Sequence, residues 1–365
     1  MKNLLIGLSA VAVALSLTAV VLTASVFWTG YTEEEEETVV TEAPVFVEFQ
    51  EEPEEEEEPE DPGPDLTGLA MNPLTGHYIP EELAGRRPLA VVINNISQAL
   101  PQSGIAQADI IYEVLAEGGV TRFVAIYMMM DSEKIGPVRS TRDYFLDLAL
   151  NHDAVFVHHG GSPGGYAAIT NLRANNLDGM HIARAFFRDP ARAAIPRLYE
   201  HSSYTRASGL FEEIESRGFR MELNPAFAQP FLFFDDEYEP VGEEVHEVVV
   251  PFAPGSQVGR FDFLPWAGIY LRSQNNNPQI DEYTGQQLAV SNVIIQYASM
   301  RVIDGVGRRE VRLVGTGRGT LHTRGVAIPV RWSKAGHDAP TVWTFENGEP
   351  MRISRGKTWI CIMAE

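Results

Sequence analysis

The sequence contains a single cysteine, Cys361, so no disulfide can form within the chain. Burial alone must hold the fold, and 365 residues are enough for a sizeable core. Basic residues are scarce. Lys and Arg number 28 against 50 Asp and Glu, a formal net charge of −22. The basic stripe that nucleic-acid binding demands is absent, which excludes nucleic acid as a partner. There is no Walker loop, dinucleotide fingerprint or Gly-x-Ser-x-Gly elbow. The sequence therefore implies no cofactor and offers no complete catalytic constellation. Between Tyr31 and Asp65 there is no basic residue at all, against 17 acidic ones.

Only one apolar run is long. Residues 4–26 carry no ionisable group, and about 20 helical residues cross a hydrocarbon core. A removable signal peptide would have a shorter apolar region and a small-x-small site. The best site here is Leu22-Thr23-Ala24. A lipoprotein would need a cysteine just after the run. The expectation is therefore an uncleaved anchor helix within residues 1–30. Lys2 stays inside, and the acidic flank 33–37 with everything after it lies outside. Residues 31–65, with their like charges and five prolines, read as a disordered acidic tether. Without it the remaining residues 66–365 carry only about −6.

The ectodomain divides near residue 240. Over 66–239, strands and helices alternate, which predicts a layered α/β domain. Leu89 to Ile93 form a strand. Residues 109–115 and 121–130 pair as a hairpin around Glu117-Gly118-Gly119. Ser140-Thr141-Arg142-Asp143 has the capping-box pattern and predicts a helix capped by Ser140, with Phe145, Leu148 and Ala149 as its apolar stripe. Ser162-Pro163 opens another helix, with Tyr166, Ile169 and Leu172 facing its core. A third runs from 208 to 217 and ends at Gly218. Over 240–365, eight short strands at close spacing predict a β-rich domain, sandwich or barrel-like. The expected class is thus mixed α/β (α+β or α/β) followed by a β-rich domain.

Three stretches carry candidate chemistry. The first is Gly136-Pro137-Val138-Arg139-Ser140-Thr141-Arg142, a loop feeding a helix start. Backbone N–H groups, two guanidinium groups and two hydroxyls would suit a phosphate or carboxylate. The bland alternative is that Arg139 pairs with Glu113 or Glu117 and binds nothing. The second is His158-His159-Gly160-Gly161-Ser162, where glycines let a ligand approach the backbone. Adjacent strand histidines point to opposite faces, so no metal site is expected. The third is Asp109, Glu113 and Glu117 on one strand face, with Arg122 nearby. They either join the arginines in a buried ion network or line a cleft. Trp266, Trp332, Trp343 and Trp359 serve either as core or as a glycan-stacking surface. Cys361 reads as a buried apolar residue.

Several motifs together resemble the YerB-like family of bacterial envelope lipoproteins. They are Asn72-Pro73-Leu74-Thr75-Gly76, Arg87-Pro88-Leu89-Ala90-Val91-Val92-Ile93-Asn94-Asn95, Gln107-Ala108-Asp109-Ile110-Ile111-Tyr112-Glu113, Glu117-Gly118-Gly119-Val120-Thr121-Arg122-Phe123 and the 136–143 loop, with Trp332-Ser333-Lys334 and Gly356-Lys357-Thr358-Trp359 later. The resemblance covers residues 72–363. It implies a membrane-tethered envelope protein with an N-terminal mixed and a C-terminal β-rich domain, and no particular activity. The chain departs from the pattern by lacking a lipobox cysteine, so an anchor helix must replace the lipid. It departs again at Ile195-Pro196-Arg197-Leu198-Tyr199, where a Pro-His-Asn-like run is expected. The expected function is a tethered binding or scaffold protein with an anion-binding cleft. Its partners are the membrane and either an anionic envelope component or another envelope protein. The alternative is an enzyme acting on a phosphate-bearing or glycan substrate. A hairpin leading to a Pro-x-Arg loop and a helix is similar in layout to the LytR-CpsA-Psr phosphotransferases, by analogy only.

Overall fold

A computed structural model describes residues 65–365 apart from Asp236 and Pro254. The expected anchor helix, and the acidic tract up to residue 64, lie outside the described residues. Among the described residues no helix is long and apolar enough to cross a membrane.

The strands that organise the molecule are β1 (Leu89–Asn94), β2 (Ile110–Leu115), β3 (Thr121–Tyr127), β4 (Val155–His158) and β5 (Asn176–Asp178). They are followed by β6 (Glu247–Ala253), β7 (Gln257–Leu264), β8 (Ile269–Gln274), β9 (Asn292–Ala298) and β10 (Gly315–Thr323). The last three are β11 (Val326–Lys334), β12 (Thr341–Phe345) and β13 (Thr358–Ala364). The helices of eight residues or more are α1 (Asp143–Leu150), α2 (Pro163–Leu172) and α3 (Ala207–Ser216).

One sheet of 11 strands runs in the order Glu243–Glu244, β11, β10, β9, β13, β2, β3, β1, β4, β5, with β12 beside β11. β13 sits in the middle, parallel to both β9 and β2. The β-rich segment therefore does not close on itself as a sandwich or barrel. Its strands continue the sheet begun by the mixed α/β segment. The hairpin expected before and after Glu117 is present as antiparallel β2 and β3.

Both faces of the sheet's centre are covered, so β1, β2 and β3 are buried at every position rather than at alternate ones, and most of those positions are apolar. On one face Leu89, Val91, Phe123, Ala125 and Trp359 meet α3 and the smaller antiparallel sheet of β6, β7 and β8. The Trp359 ring lies edge-on to Phe123 at 5.1 Å and to Phe261 of β7 at 5.6 Å. On the other face Ala90, Val92, Ile126 and Ile360 meet Phe145, Leu148 and Ala149 of α1. Each large apolar side chain so buried contributes roughly 1.5–3 kcal/mol. Trp332, Trp343 and Trp359 are core residues, and only Trp266 is exposed among the four candidates for a stacking surface. Cys361 is buried, as expected of an apolar residue.

Local signals at helix starts fared differently. Ser162 caps α2 as expected, accepting from Gly165 N–H at 3.0 Å with Pro163 at the first position. Ser140 does not cap α1. The cap is Arg142, which makes no side-chain capping bond, and Ser140 Oγ donates to His159 O at 3.1 Å. Ser140 and Thr141 are drawn into a bridge with the next loop before the helix begins, and that tertiary pairing overrides the local pattern.

Candidate functional site

The candidate site forms where β1 and β4 end. The two strands are parallel neighbours, so their carboxyl ends lie side by side, and β3 starts at the same edge with Arg122 opposite Asn94. This edge is where open α/β sheets bind ligands. Two loops close over it. Val138 bridges Ile93, and Arg139 N–H donates to Val92 O at 2.9 Å. His159 N–H donates to Arg139 O at 3.0 Å, and Thr141 N–H to Gly160 O at 2.9 Å. The first loop turns at Gly136, whose φ of +142° and approach to Val138 N leave no room for a Cβ.

This zipping gathers three guanidinium groups. Arg142 donates to Glu117 through Nε and through Nη2, the latter at 2.6 Å, and to Thr141 O at 2.6 Å. Arg122 reaches the same carboxylate at 3.4 Å and Ser140 O at 2.7 Å. Arg139 donates to Glu200 O at 2.9 Å and lies 3.6 Å from the Glu200 carboxylate. The three arginine side chains are 9%, 12% and 24% exposed for Arg122, Arg142 and Arg139, while that of Glu200 is 77% exposed. Glu117 is thus a half-buried carboxylate shared by Arg122 and Arg142, and Arg139 beside them has only the exposed Glu200 among the described residues.

Electrostatics follow from that count. Burial, then the neighbouring Arg142, push Arg122 down to about 9, so it remains a cation at neutral pH. Burial also lowers Arg139. Burial alone would raise Glu117, but its bond from Arg142 and the charges of Arg122 and Arg142 outweigh this and hold it below the usual carboxylate range. Two neighbouring histidines, His159 and His201, are shifted towards their neutral forms. Burial, then Arg188, lower His159, and burial, then Arg139, lower His201.

The second loop is held from beneath by Asp178. It accepts from Gly160 N–H at 2.8 Å, Met180 N–H at 3.0 Å and Tyr166 Oη–H at 2.8 Å. His158 and His159 part company as adjacent strand residues must. His158 is buried, stacks on Phe156 and has Nδ1 2.8 Å from Gly160 O. His159 Nδ1 lies 2.7 Å from Ser203 Oγ. Gly161 packs on Thr141, and Ser162 is engaged in capping α2. The structure therefore brings Arg122, Arg139, Arg142, Ser140, Thr141, Glu117, Gly160, Gly161 and Ser162 together, with His158 beneath.

Glu113 is elsewhere. It is fully buried, pairs with Arg272 at 3.0 Å, and accepts from Thr121 Oγ1 at 2.8 Å, Asn95 at 3.1 Å and Trp359 Nε1 at 3.1 Å. Its role is internal, and its partner is neither Arg139 nor Arg142. Among the described residues no group of three or more His, Cys, Asp and Glu side chains is placed to share a metal ion.

Comparison with known proteins adds the family. Residues 74–220 match the N-terminal domain, and residues 248–360 the C-terminal domain, of the family described as "Protein of unknown function (DUF3048)". A Bacillus subtilis (strain 168) protein named "Putative lipoprotein YerB" is 33% identical over 309 residues, which are 84% of this chain and 90% of that protein. This chain belongs to the YerB family. The crystal structure of YerB protein from Bacillus subtilis aligns with a TM-score of 0.71 at 33% identity, covering 80% of this chain and 96% of that one. The YerB-family architecture is accordingly a mixed α/β segment followed by a β-rich one. Sequence reasoning missed Glu200, His201 and Ser203 around the arginines of this YerB-family chain. They come from a 3-10 turn, Pro196–His201, and a three-residue strand, Ser203–Thr205, too short to show periodicity. The polar run His201-Ser202-Ser203, buried in spite of its chemistry, was the only available signal.

Proposed function

We propose that this YerB-family chain is a binding protein of the bacterial envelope, attached to the membrane through its N-terminal segment. Its arginine cluster receives an anionic group of the ligand. The observation that carries the reading is the imbalance at the site. Two guanidinium groups, of Arg122 and Arg142, converge on one half-buried carboxylate, Glu117, and the third, of Arg139, is tied among the described residues only to the exposed Glu200. A phosphate or carboxylate displacing Glu200 would accept from Arg139 and sit within reach of the Ser140 and Thr141 loop. Charge-assisted bonds of this kind are about twice as strong as neutral ones. Membrane attachment is supported by the apolar run at residues 4–26 and by the lipoprotein name of the Bacillus relative.

Isothermal titration of the full chain in lipid nanodiscs with pyrophosphate, against empty nanodiscs, tests the site. Arg139→Ala should weaken binding by about tenfold with little change in melting temperature. Arg142→Ala should weaken it and also lower the melting temperature, because Glu117 is left without its bidentate partner. Absence of heat with the unaltered chain, or an unchanged affinity in Arg139→Ala, would overturn the reading. Deleting residues 1–30 should release the chain from the membrane fraction, and its retention there would count against attachment by this segment.

A further inference from the structure

A second concavity lies at the other end of β2 and β3, away from the arginine cluster. It has a volume of about 740 Å³, within the roughly 300–1,000 Å³ typical of small-molecule sites. Its wall is largely apolar, with Ile79, Leu83, Met129, Met130, Ile269 and Val290. Met129 is 40% exposed there. Methionine side chains adapt to differently shaped apolar ligands. The cleft is shared by the whole chain. Its sides come from the segment after residue 72, from the entry to β2, from the exit of β3, from β8 and from the turn before β13.

Charged groups interrupt this wall: Lys357, Arg86, Asp109 and Asp131. Lys357 precedes β13, and its ammonium donates to Ala106 O. That is its only hydrogen bond among the described residues, and no ion pair engages it. An ammonium carries three donors, so two are unused. The neighbouring carboxylate, Asp109, does not take them. Its oxygens accept from Asn72 Nδ2 at 2.9 Å and Met128 N–H at 2.6 Å. Arg86 also lines the cleft, with its guanidinium over the Phe211 ring at 4.7 Å and no side-chain hydrogen bond or ion pair among the described residues. The second acid on the wall, Asp131, is exposed and accepts from Gln107.

We infer that this cleft binds a small molecule with an apolar body and one anionic end, a phosphate or carboxylate, the anion being held by Lys357. The apolar wall takes the body, and the unused donors of a half-buried ammonium take the charge. Such an ammonium is a stronger anchor than one in water, because the surrounding dielectric is low. Burial, only partly offset by the charges of Asp109 and Asp281, lowers the Lys357 ammonium from its ordinary value, and a bound anion would offset more of that penalty. The cleft shares no residue with the arginine cluster, so the inference is independent of the function proposed above.

The test is a titration of the full chain in lipid nanodiscs, against empty nanodiscs, with four probes. 1-Naphthyl phosphate and octanoate carry both parts, inorganic phosphate carries only the anion, and 2-naphthol only the body. The first two should bind at least about tenfold more tightly than the last two. Preference between the first two identifies the anion. Lys357→Met should cost about tenfold in affinity for whichever binds, and Lys357→Arg should recover most of it. Ala289→Trp, which fills the cleft without touching the charge, should abolish binding, and Arg139→Ala should leave it unchanged. The inference fails if 2-naphthol binds as tightly as 1-naphthyl phosphate, if Lys357→Met and Lys357→Arg behave alike, or if neither two-part probe binds at about 1 mM. A Lys357→Met chain that does not fold leaves the Ala289→Trp and probe comparisons to decide.

Discussion

At the scale of single residues, buried charge is where the molecule is most exposed to damage. Glu113 and Arg272 are both wholly buried. The Arg272 guanidinium lies 5.0 Å from the ring centres of both Phe261 and Trp359. Removing one partner strands the other in a low-dielectric core, so Arg272→Met should cost about 3–5 kcal/mol in urea unfolding. Replacing both, Glu113→Leu with Arg272→Met, should recover part of that loss; equal destabilisation by the single and double changes would show that the pair is not the source. Asp109 is a different case. Burial, partly offset by its bonds to Met128 and Asn72, raises its carboxyl from 3.8 to about 6. The folded chain therefore holds this proton more tightly than the unfolded one. The resulting stabilisation is present below pH 4 and is lost as pH rises through 6, a change of roughly 3 kcal/mol. Asp109→Asn removes it, so the melting temperature of the variant relative to the unaltered chain should rise between pH 4 and 7. A constant difference over that range would contradict the shift. The sequence did mark Asp109 and Glu113 as unusual, being acids on one face of an otherwise apolar strand. It could not show that Glu113 would find Arg272, a residue 159 positions away.

At the scale of elements, some expectations were local and others depended on neighbours. The α2 start was legible because Ser162 and Pro163 act within one turn. Ser162→Ala should therefore cost about 1 kcal/mol, visible as a fall of a few degrees in melting temperature. Ser140 has the same signature and a different fate. Thr141 pairs with Gly161, which holds Ser140 outside the helix. Ser140→Ala should weaken the contact to His159 without changing the helicity of α1, and a loss of helical signal comparable to that of Ser162→Ala would restore the capping reading. Of the eight strands expected over 240–365, the one whose apolar pattern spans 310–316 is likewise split. Arg309–Val311 pairs with Met300–Val302, while Gly315 already belongs to β10. β7 was missed, although Gln257, Gly259 and Phe261 alternate in burial with Val258 and Arg260. Its polar outer face dilutes the apolar run that identified the others.

At the scale of the whole molecule, the mixed α/β and β-rich segments were legible from the spacing of strands and helices, and the sheet that joins them was not. Hydrophobic pattern says that β13 is buried on both faces, but nothing local says between which strands. Its register against β2 and β9 is a property of the assembled core. The same holds for the arginine cluster. Its donors were readable in the motif around residue 139, while the scarcity of carboxylates around them was a fact of three dimensions. The central place of β13 has one more consequence. Trp359 and Glu113 are 246 positions apart, and β2 has no neighbour on that side until residues 358–364 arrive. Pairings so distant in sequence form slowly, since loop closure precedes their reward. A chain delivered across a membrane from its amino end would thus stay threadable until its final segment emerged, and premature folding on the wrong side would be suppressed by topology alone.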